Sequence, residues 1–353
     1  MMNDMTDEKL RDRIRGSIVG GAVGDALGYA VEFVGSFAEI RNRYGERGIT
    51  EFDTECCEAR GGAPRDKALF SDDTQMTLYT AEGLLKSVAG GEPIIPMIRS
   101  AYLAWVGPQI GMKIKVPYES ELLRIEELNQ RRAPGTTCLN SLMAISMGNE
   151  PSNNSKGCGG VMRVAPIGIY GATRSWSLET TARTAGECAL LTHLHPLSTY
   201  SSAALAVIVQ MCLMTDCADL DSFTAIVGSA VEVVESLYGH DAKAMKEFRE
   251  IIANAIALRE SPLADWEVIE RELGGGWVAE ETLAIAIFSV ARHLDDTDAV
   301  LICAVNHGGD SDSTGAVAGN IIGAINGLTS IPDKYTSSIQ LKELLLTTAD
   351  ALG

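Results

Sequence analysis

Residues 16–28 read GSIVGGAVGDALG, and residues 311–327 read SDSTGAVAGNIIGAING. Gly16, Gly20, Gly24 and Gly28 recur every four residues, and Gly315, Gly319, Gly323 and Gly327 repeat that spacing near the other end of the chain. Four residues is close to one helical turn, so each set forms a strip without side chains along one helix face. Each interior glycine costs on the order of 1 kcal/mol of helix stability relative to alanine; close approach of two helix backbones would offset that. Packing is the purpose assigned to the strips themselves. Their consequence is chemical. The first leads to Asp25 and Glu32, the second begins just after Asp310 and Asp312, and packing the two helices together brings the two acidic groups together.

Most of the intervening chain also carries helical periodicity. Leu10, Ile14, Ile18 and Ala22 make one stripe over residues 7–29, and Leu78, Leu84, Leu85 and Val88 mark residues 74–89. Residues 198–214 are apolar nearly all round, as a central buried helix is. Helices are also expected over 222–238, 241–259 and 279–294, while period-2 alternation is scarce. Loops concentrate at 41–70, 105–137 and 148–160. No linker or low-complexity tract divides the chain. The expectation is an all-α protein, a compact orthogonal helical bundle, with residues 1–353 forming a single domain whose core runs from about 14 to 330.

Composition narrows the function classes. Lys and Arg total 29 against 47 Asp and Glu, a formal charge of −18. Such a chain repels phosphate backbones and anionic lipid at long range, which weighs against nucleic acid as a partner. No stretch approaches the ~20 uninterrupted apolar residues of a membrane span, and MMNDMTDEKLRDR is too polar for a signal peptide. Eight cysteines (Cys56, Cys57, Cys138, Cys158, Cys188, Cys212, Cys217 and Cys303) include no C-x-x-C pair. They read as reduced thiols of a cytoplasmic protein, with no spacing that points to zinc.

Four motifs carry chemistry. Ser71-Asp72-Asp73-Thr74 precedes a helix, where the dipole and free amides offset part of the cost of adjacent carboxylates; it reads either as a cap with an acidic first turn or as half of a cation site. Gly308-Gly309-Asp310-Ser311-Asp312-Ser313-Thr314 offers carboxylates and hydroxyls, an oxygen-only set suited to Mg2+, Mn2+ or Ca2+. Two Asp-rich helix starts are better explained as halves of one binuclear site than as unrelated caps. Ser155 to Arg163 is glycine-rich, as a diphosphate cradle or an irregular turn would be, and Arg163 is either a phosphate ligand or a structural partner. Thr192-His193-Leu194-His195-Pro196 lacks further zinc ligands at matching spacing, so His193 reads as stacking on a base or capping the next helix. His307 reads as an orienting group rather than a metal ligand.

Taken together, GSIVGGAVGDALGYAVEF, SDDTQMTLYTAEGL, APGTTCLNSL, SKGCGGVMRVAPIGIY, THLHP and NHGGDSDSTGAVAGNIIGAINGL resemble the ADP-ribosylglycohydrolase family, which includes the dinitrogenase reductase-activating glycohydrolases. The resemblance runs from about Gly16 to Gly327. It implies a compact all-helical domain with two Mg2+ or Mn2+ ions held by Ser71, Asp72, Asp73, Asp310, Asp312 and Ser313. It makes Glu32 the catalytic glutamate, with Asp73 and Asp312 at the catalytic centre. It assigns Ser155, Lys156, Gly157, Cys158 and Gly159 to the diphosphate loop and His193 to the nucleotide. Ser71 and Ser313 stand where some members have threonine, and Lys156 and Cys158 differ from the loop residues of some branches. Some arginine-specific members carry a further acidic residue in the loop after the second motif, for which Glu119 and Glu121 are candidates.

The implied reaction is hydrolysis of the glycosidic bond at C1″ of ADP-ribose on a modified protein side chain, with arginine as the expected linkage. Partners are then an ADP-ribosylated protein and the product ADP-ribose. The alternatives are another linkage (serine, nucleic acid or a metabolite) and an immunity-type protein that blocks an ADP-ribosyltransferase.

Overall fold

Glycines that would weaken two isolated helices become the seam along which two helix backbones meet. In the computed structural model, which describes residues 7–55, 66–217 and 219–353, α1 (Asp7–Tyr29) lies antiparallel to the late glycine helix. Gly16 faces Gly323, Gly20 faces Gly319, Gly24 faces Gly315, and Gly28 faces Ser311. A Cβ on Gly20 would stand 2.6 Å from the Gly319 carbonyl oxygen, and at Gly16, Gly24 and Gly28 it would stand closer still. Only backbone fits between these axes. The polar pair Ser17 and Asn320 then ties them: Ser17 Oγ donates to Asn320 O (2.9 Å) and Asn320 Nδ2 donates to Ser17 O (2.8 Å).

Sixteen α-helices and no strands are found among the described residues. After α1 come α2 (Phe37–Tyr44), α3 (Asp72–Gly90), α4 (Ile94–Gln109), α5 (Thr136–Ser146), α6 (Ala165–Thr173), α7 (Leu178–Leu190) and α8 (Pro196–Met214). Then follow α9 (Leu220–Tyr238), α10 (Ala242–Ala257), α11 (Asp265–Val268), α12 (Ala279–His293), α13 (Thr297–Val305), α14 (Ser311–Asn326), α15 (Asp333–Thr336) and α16 (Lys342–Leu352). The all-α expectation holds, and the periodic segments match α1, α3, α8, α9, α10 and α12, with 241–259 and 279–294 overrunning α10 and α12 by one or two residues. Part of the expected loop at 105–137 is helical. α4 runs to Gln109 because Ile98, Ala101, Tyr102 and Trp105 continue one buried face, and two short 3-10 turns occupy 122–124 and 126–129. In the same way α2 enters the expected loop at 41–70, started by Ser36, whose side chain accepts from Glu39 N.

α8 is long and apolar enough to cross a membrane by composition alone, yet 89% of its most apolar window is buried within the protein. It is the central core helix, touching α6, α7, α9, α12 and α14. Buried side chains from Ile14 to Leu352 join in one continuous hydrophobic cluster. Cys138, Cys158, Cys188, Cys212, Cys217 and Cys303 are free thiols; Cys56 and Cys57 lie outside the described residues.

The same substitution is expected to act with opposite sign at two helical glycines. Gly319→Ala drives a methyl into the Gly20 carbonyl and is expected to cost at least the ~1–3 kcal/mol typical of overpacking. Gly228→Ala, where a Cβ meets nothing within 4 Å on α9, is expected to gain roughly 0.5–1 kcal/mol. Denaturant unfolding of both variants measures the two signs.

Candidate active site

The α1–α14 contact sets the site. α1 ends at Tyr29 and the chain turns through Val31 and Val34, whose amides donate to Gly28 O and Val31 O; this places Glu32 beside the start of α14. Carboxylate oxygens of Glu32, Asp310 and Asp312 lie within 4.8 Å of one another, all on buried residues. The N-terminus of α3 comes to the same point. Ser313 Oγ donates to Asp73 Oδ2 at 2.8 Å, joining the two acidic helix starts across 240 residues of sequence. Ser71 is the N-cap of α3, its Oγ accepting from Asp73 N at 3.2 Å. Gly135 N donates to Asp72 Oδ2 at 3.4 Å. Thus all six residues assigned to the metals, with Glu32, meet in one place.

Asp25, placed by the sequence in the first acidic group but given no role there, acquires one in the structure. Its Oδ1 accepts from Ser71 N (2.7 Å), and its Oδ2 accepts from Thr74 N (2.9 Å) and Thr74 Oγ1 (2.5 Å). It pins the first turn of α3 against α1, so it positions Asp72 and Asp73. Its place in the glycine strip is visible in the sequence; its partners, some 46–49 residues away, are not.

The other carboxylates are differently served. Asp310 Oδ2 and Asp312 Oδ1 are buried and find no hydrogen-bond donor among the described residues. Burial first, and then the charge of Asp312, hold the carboxyls of Asp72, Asp73 and Asp310 well above the usual carboxylate range. Burial raises Asp312 as well. Asp25 rises to about 7 from burial and the Asp312 charge, against the lowering effect of its donors. Buried like charges without partners are costly, and hard oxygen donors converging in this way suit a divalent cation.

A cavity of about 180 Å³ opens over this cluster, bordered by Glu32, Asp72, Asp310, Gly157–Gly159, His193 and Trp277. A larger cleft of about 410 Å³ between Tyr44 and Glu55 shares none of these residues. The glycine loop is held against the start of α12, Cys158 N donating to Trp277 O and Ala279 N to Lys156 O. Gly159 is required by space: a Cβ there would stand 2.7 Å from Cys138 Sγ and 2.8 Å from the His193 ring. Gly157, Cys158 and Gly159 face the cavity. Ser155 stands behind them, its Oγ accepting from Gly157 N, and the Lys156 ammonium turns away to pair with Glu280 and Glu247. Phe33 and Trp277, both exposed, stack at the rim with centroids 6.3 Å apart; no sequence pattern distinguishes them from other aromatics.

His193 borders the cavity, and burial first, then Arg163, lower its pKa to about 3, so its ring is uncharged at neutral pH. The capping role belongs to His195, whose Nδ1 accepts from Leu197 N. Arg163 is neither a phosphate ligand nor a carboxylate partner. It is fully buried, donating to Thr192 Oγ1 (2.6 Å) and Cys188 O (3.2 Å) and lying 4.4 Å over the Tyr102 ring. His307 orients α14: its Nε2 lies 3.0 Å from Thr314 Oγ1 and 3.1 Å from Ala304 O. Glu119 pairs with Arg124 and Glu121 with Lys86, and neither borders the cavity.

Comparison with known proteins identifies the family. A family model described as ADP-ribosylglycohydrolase matches residues 6–353. The chain belongs to the ADP-ribosylglycohydrolase family. Among relatives, ADP-ribosylhydrolase ARH3 of Mus musculus is 26% identical over 212 residues, covering 53% of this chain and 53% of ARH3. Uncharacterized protein YegU of Escherichia coli is 26% identical over 276 residues, covering 75% of this chain and 74% of its own. A solved structure described as an ADP-ribosylglycohydrolase-related protein complex superposes with a TM-score of 0.61 at 24% identity over 98% of both chains, a likeness of fold. The chain spans about half the length of the ARH3 relatives it matches.

Two buried carboxylates are expected to respond oppositely to neutralisation in chelator-treated protein. Asp25→Ala leaves the amides of Ser71 and Thr74 unserved, at roughly 1–3 kcal/mol for each buried group, and lowers the melting temperature. Asp310→Asn replaces a buried carboxyl that crowds Asp312 with a permanently neutral amide and raises that temperature. Scanning calorimetry with chelator present distinguishes the two.

Proposed function

We propose that the protein is a hydrolase that releases ADP-ribose from modified protein side chains, using Mg2+ or Mn2+ held by Ser71, Asp72, Asp73, Asp310, Asp312 and Ser313. One observation carries this reading: buried carboxylates from two distant helix starts converge beside Glu32, with Asp310 Oδ2 and Asp312 Oδ1 lacking donors among the described residues. The donor set is oxygen only, as hard divalent cations require. The ADP-ribosylhydrolase relatives support the same reaction class.

Bound there, such ions supply positive charge that neutralises the facing carboxylates and attracts ribose hydroxyls. Glu32 exchanges a proton with the attacking water and the departing side-chain atom at C1″. The surrounding carboxylates favour the positive, oxocarbenium-like charge that develops on the sugar. Gly157 and Gly159 let backbone approach the diphosphate, and the neutral His193 ring borders the nucleotide without adding charge. A transferase-blocking binder would gain nothing from buried carboxylates that keep oxygens without donors among the described residues, so catalysis is the better reading of the same residues.

Arginine is the proposed linkage. A protonated guanidinium is a leaving group that needs little activation, and the net charge of −18 favours the approach of a cationic target. Screening limits that attraction to about 8 Å at physiological salt, so it acts at the rim of the site.

Exhaustive chelation is expected to abolish ADP-ribose release, and Mg2+ or Mn2+ to restore it; full activity after chelation overturns the metal assignment. Glu32→Gln is expected to keep ADP-ribose affinity by calorimetry while turnover falls by roughly 10²–10⁴-fold. Turnover within a few-fold of wild type removes Glu32 from the chemistry.

Offered arginine-, serine- and cysteine-linked ADP-ribosyl peptides at equal concentration, the enzyme is expected to release ADP-ribose fastest from arginine. Preference for serine overturns the linkage and leaves the hydrolase reading standing. Release from none, with tight binding to an ADP-ribosyltransferase, overturns both.

A further inference from the structure

A second set of ligating atoms lies outside the carboxylate site. Asp265 opens α11, His293 closes α12 and Cys303 sits on α13, and one ligand atom from each lies within 4.8 Å of the others. The three border a solvent-open cavity of about 430 Å³ that shares no lining residue with the carboxylate site. Hard cations avoid thiols and imidazoles, so Mg2+ and Ca2+ do not suit this set. One oxygen, one nitrogen and one sulfur suit zinc and its thiophilic neighbours, whose catalytic and regulatory sites often combine three protein ligands with one from solvent.

The geometry needs little adjustment. His293 Nε2 stands 2.8 Å from Asp265 Oδ2. Zinc–ligand bonds of about 2.0–2.2 Å in a tetrahedron place neighbouring ligand atoms roughly 3.3–3.5 Å apart, so this pair must open by about half an ångström. Both side chains are partly exposed, 27% and 31%, which leaves them room to do so, while the buried Cys303 is held in its helix. Arg292 already orients the carboxylate. Its Nε donates to the other oxygen, Asp265 Oδ1, at 2.7 Å, and its remaining nitrogens are taken up by the carbonyls of Arg259, Ser261 and Leu263. Outer-sphere partners of this kind are common around metal ligands. One carboxylate and one thiolate cancel the charge of a divalent ion, leaving the guanidinium as the net local charge. Burial, then the Asp265 charge, keep the Cys303 thiol protonated in the absence of metal, so binding releases a proton.

We infer that Asp265, His293 and Cys303 form a binding site for a thiophilic divalent cation of the zinc type, separate from the carboxylate site, with its remaining position open to the cavity. The bound ion would staple α11, α12 and α13 together, and α13 leads directly into the loop that carries Asp310.

Titration of the full chain with Co2+ alone tests the site, because a thiolate ligand gives cobalt a near-ultraviolet charge-transfer band that oxygen ligands do not. One equivalent of Co2+ is expected to produce that band in the wild type and in Asp310→Asn, and Zn2+ to bleach it. Among the described residues Cys138 and Cys158 border the other site, and Cys138→Ser and Cys158→Ser are each expected to keep the band. Cys303→Ser is expected to lose it, and His293→Gln, on a partly exposed side chain that can change without disturbing the core, to weaken cobalt binding by roughly tenfold or more. No band in the wild type, a band lost with Cys138 or Cys158 and kept without Cys303, or unchanged affinity in His293→Gln overturns the assignment.

Discussion

Backbone-to-backbone contact between α1 and α14 is the constraint on which the rest of this structure depends. Glycines spaced by four make that contact possible, but spacing alone does not set its register. Two strips of period four can slip past one another by four residues, about 6 Å, and still face glycine to glycine. The reciprocal hydrogen bonds of Ser17 and Asn320 remove that freedom, because a slipped pair would leave both buried polar groups unserved. The register they select sets Gly28 against Ser311 and so brings Glu32 to the acidic turn at the head of α14.

The carboxylates at that junction fall into two kinds. Asp25 accepts three hydrogen bonds from the first turn of α3, so its burial is compensated and it serves as architecture. Asp310 and Asp312 each keep a buried oxygen without a donor among the described residues, and Asp72 and Asp73 face the charge of Asp312. A protein that gained only stability from this arrangement would have replaced these groups with apolar ones. The fold instead concentrates negative charge at one point and supports it from outside: Ser71 caps α3, Ser313 bonds Asp73, and His307 holds the start of α14.

The cavity above that point is bordered partly by helices, through Asp72 of α3 and Thr136 to Cys138 of α5, and partly by a loop that other elements hold in place. The loop at Gly157–Gly159 is fixed to α12 by two backbone hydrogen bonds, and beneath it the buried Arg163 ties Thr192 and Cys188. Charge in this region is used to hold loops in place: Arg163 serves the floor, Lys156 pairs with Glu280 and Glu247, and His193 is kept neutral. What faces a ligand there includes glycine backbone, the carboxylates of Glu32, Asp72 and Asp310, the neutral His193 ring and Trp277.

Periodicity and motif spacing were enough to read the helices of residues 7–29, 74–89 and 279–294, the absence of strands among the described residues, and the meeting of the Ser71–Asp73 and Asp310–Ser313 turns, because each of these is written in local order or in a matched pair of strips. Single side chains between long-range alternatives were not legible. Arg163 reads equally as a phosphate ligand or a structural group until its burial against Tyr102 and Thr192 is seen. Lys156 reads as a loop ligand until Glu280 and Glu247 claim its ammonium. Asp25 reads as one more polar residue in a helix until α3 arrives to be capped, and the meeting of Asp265, His293 and Cys303 leaves no trace in their spacing. A helix records its own periodicity in sequence, whereas the direction of a charged side chain depends on which partners from elsewhere in the chain reach it and remove it from water, and only tertiary packing decides that.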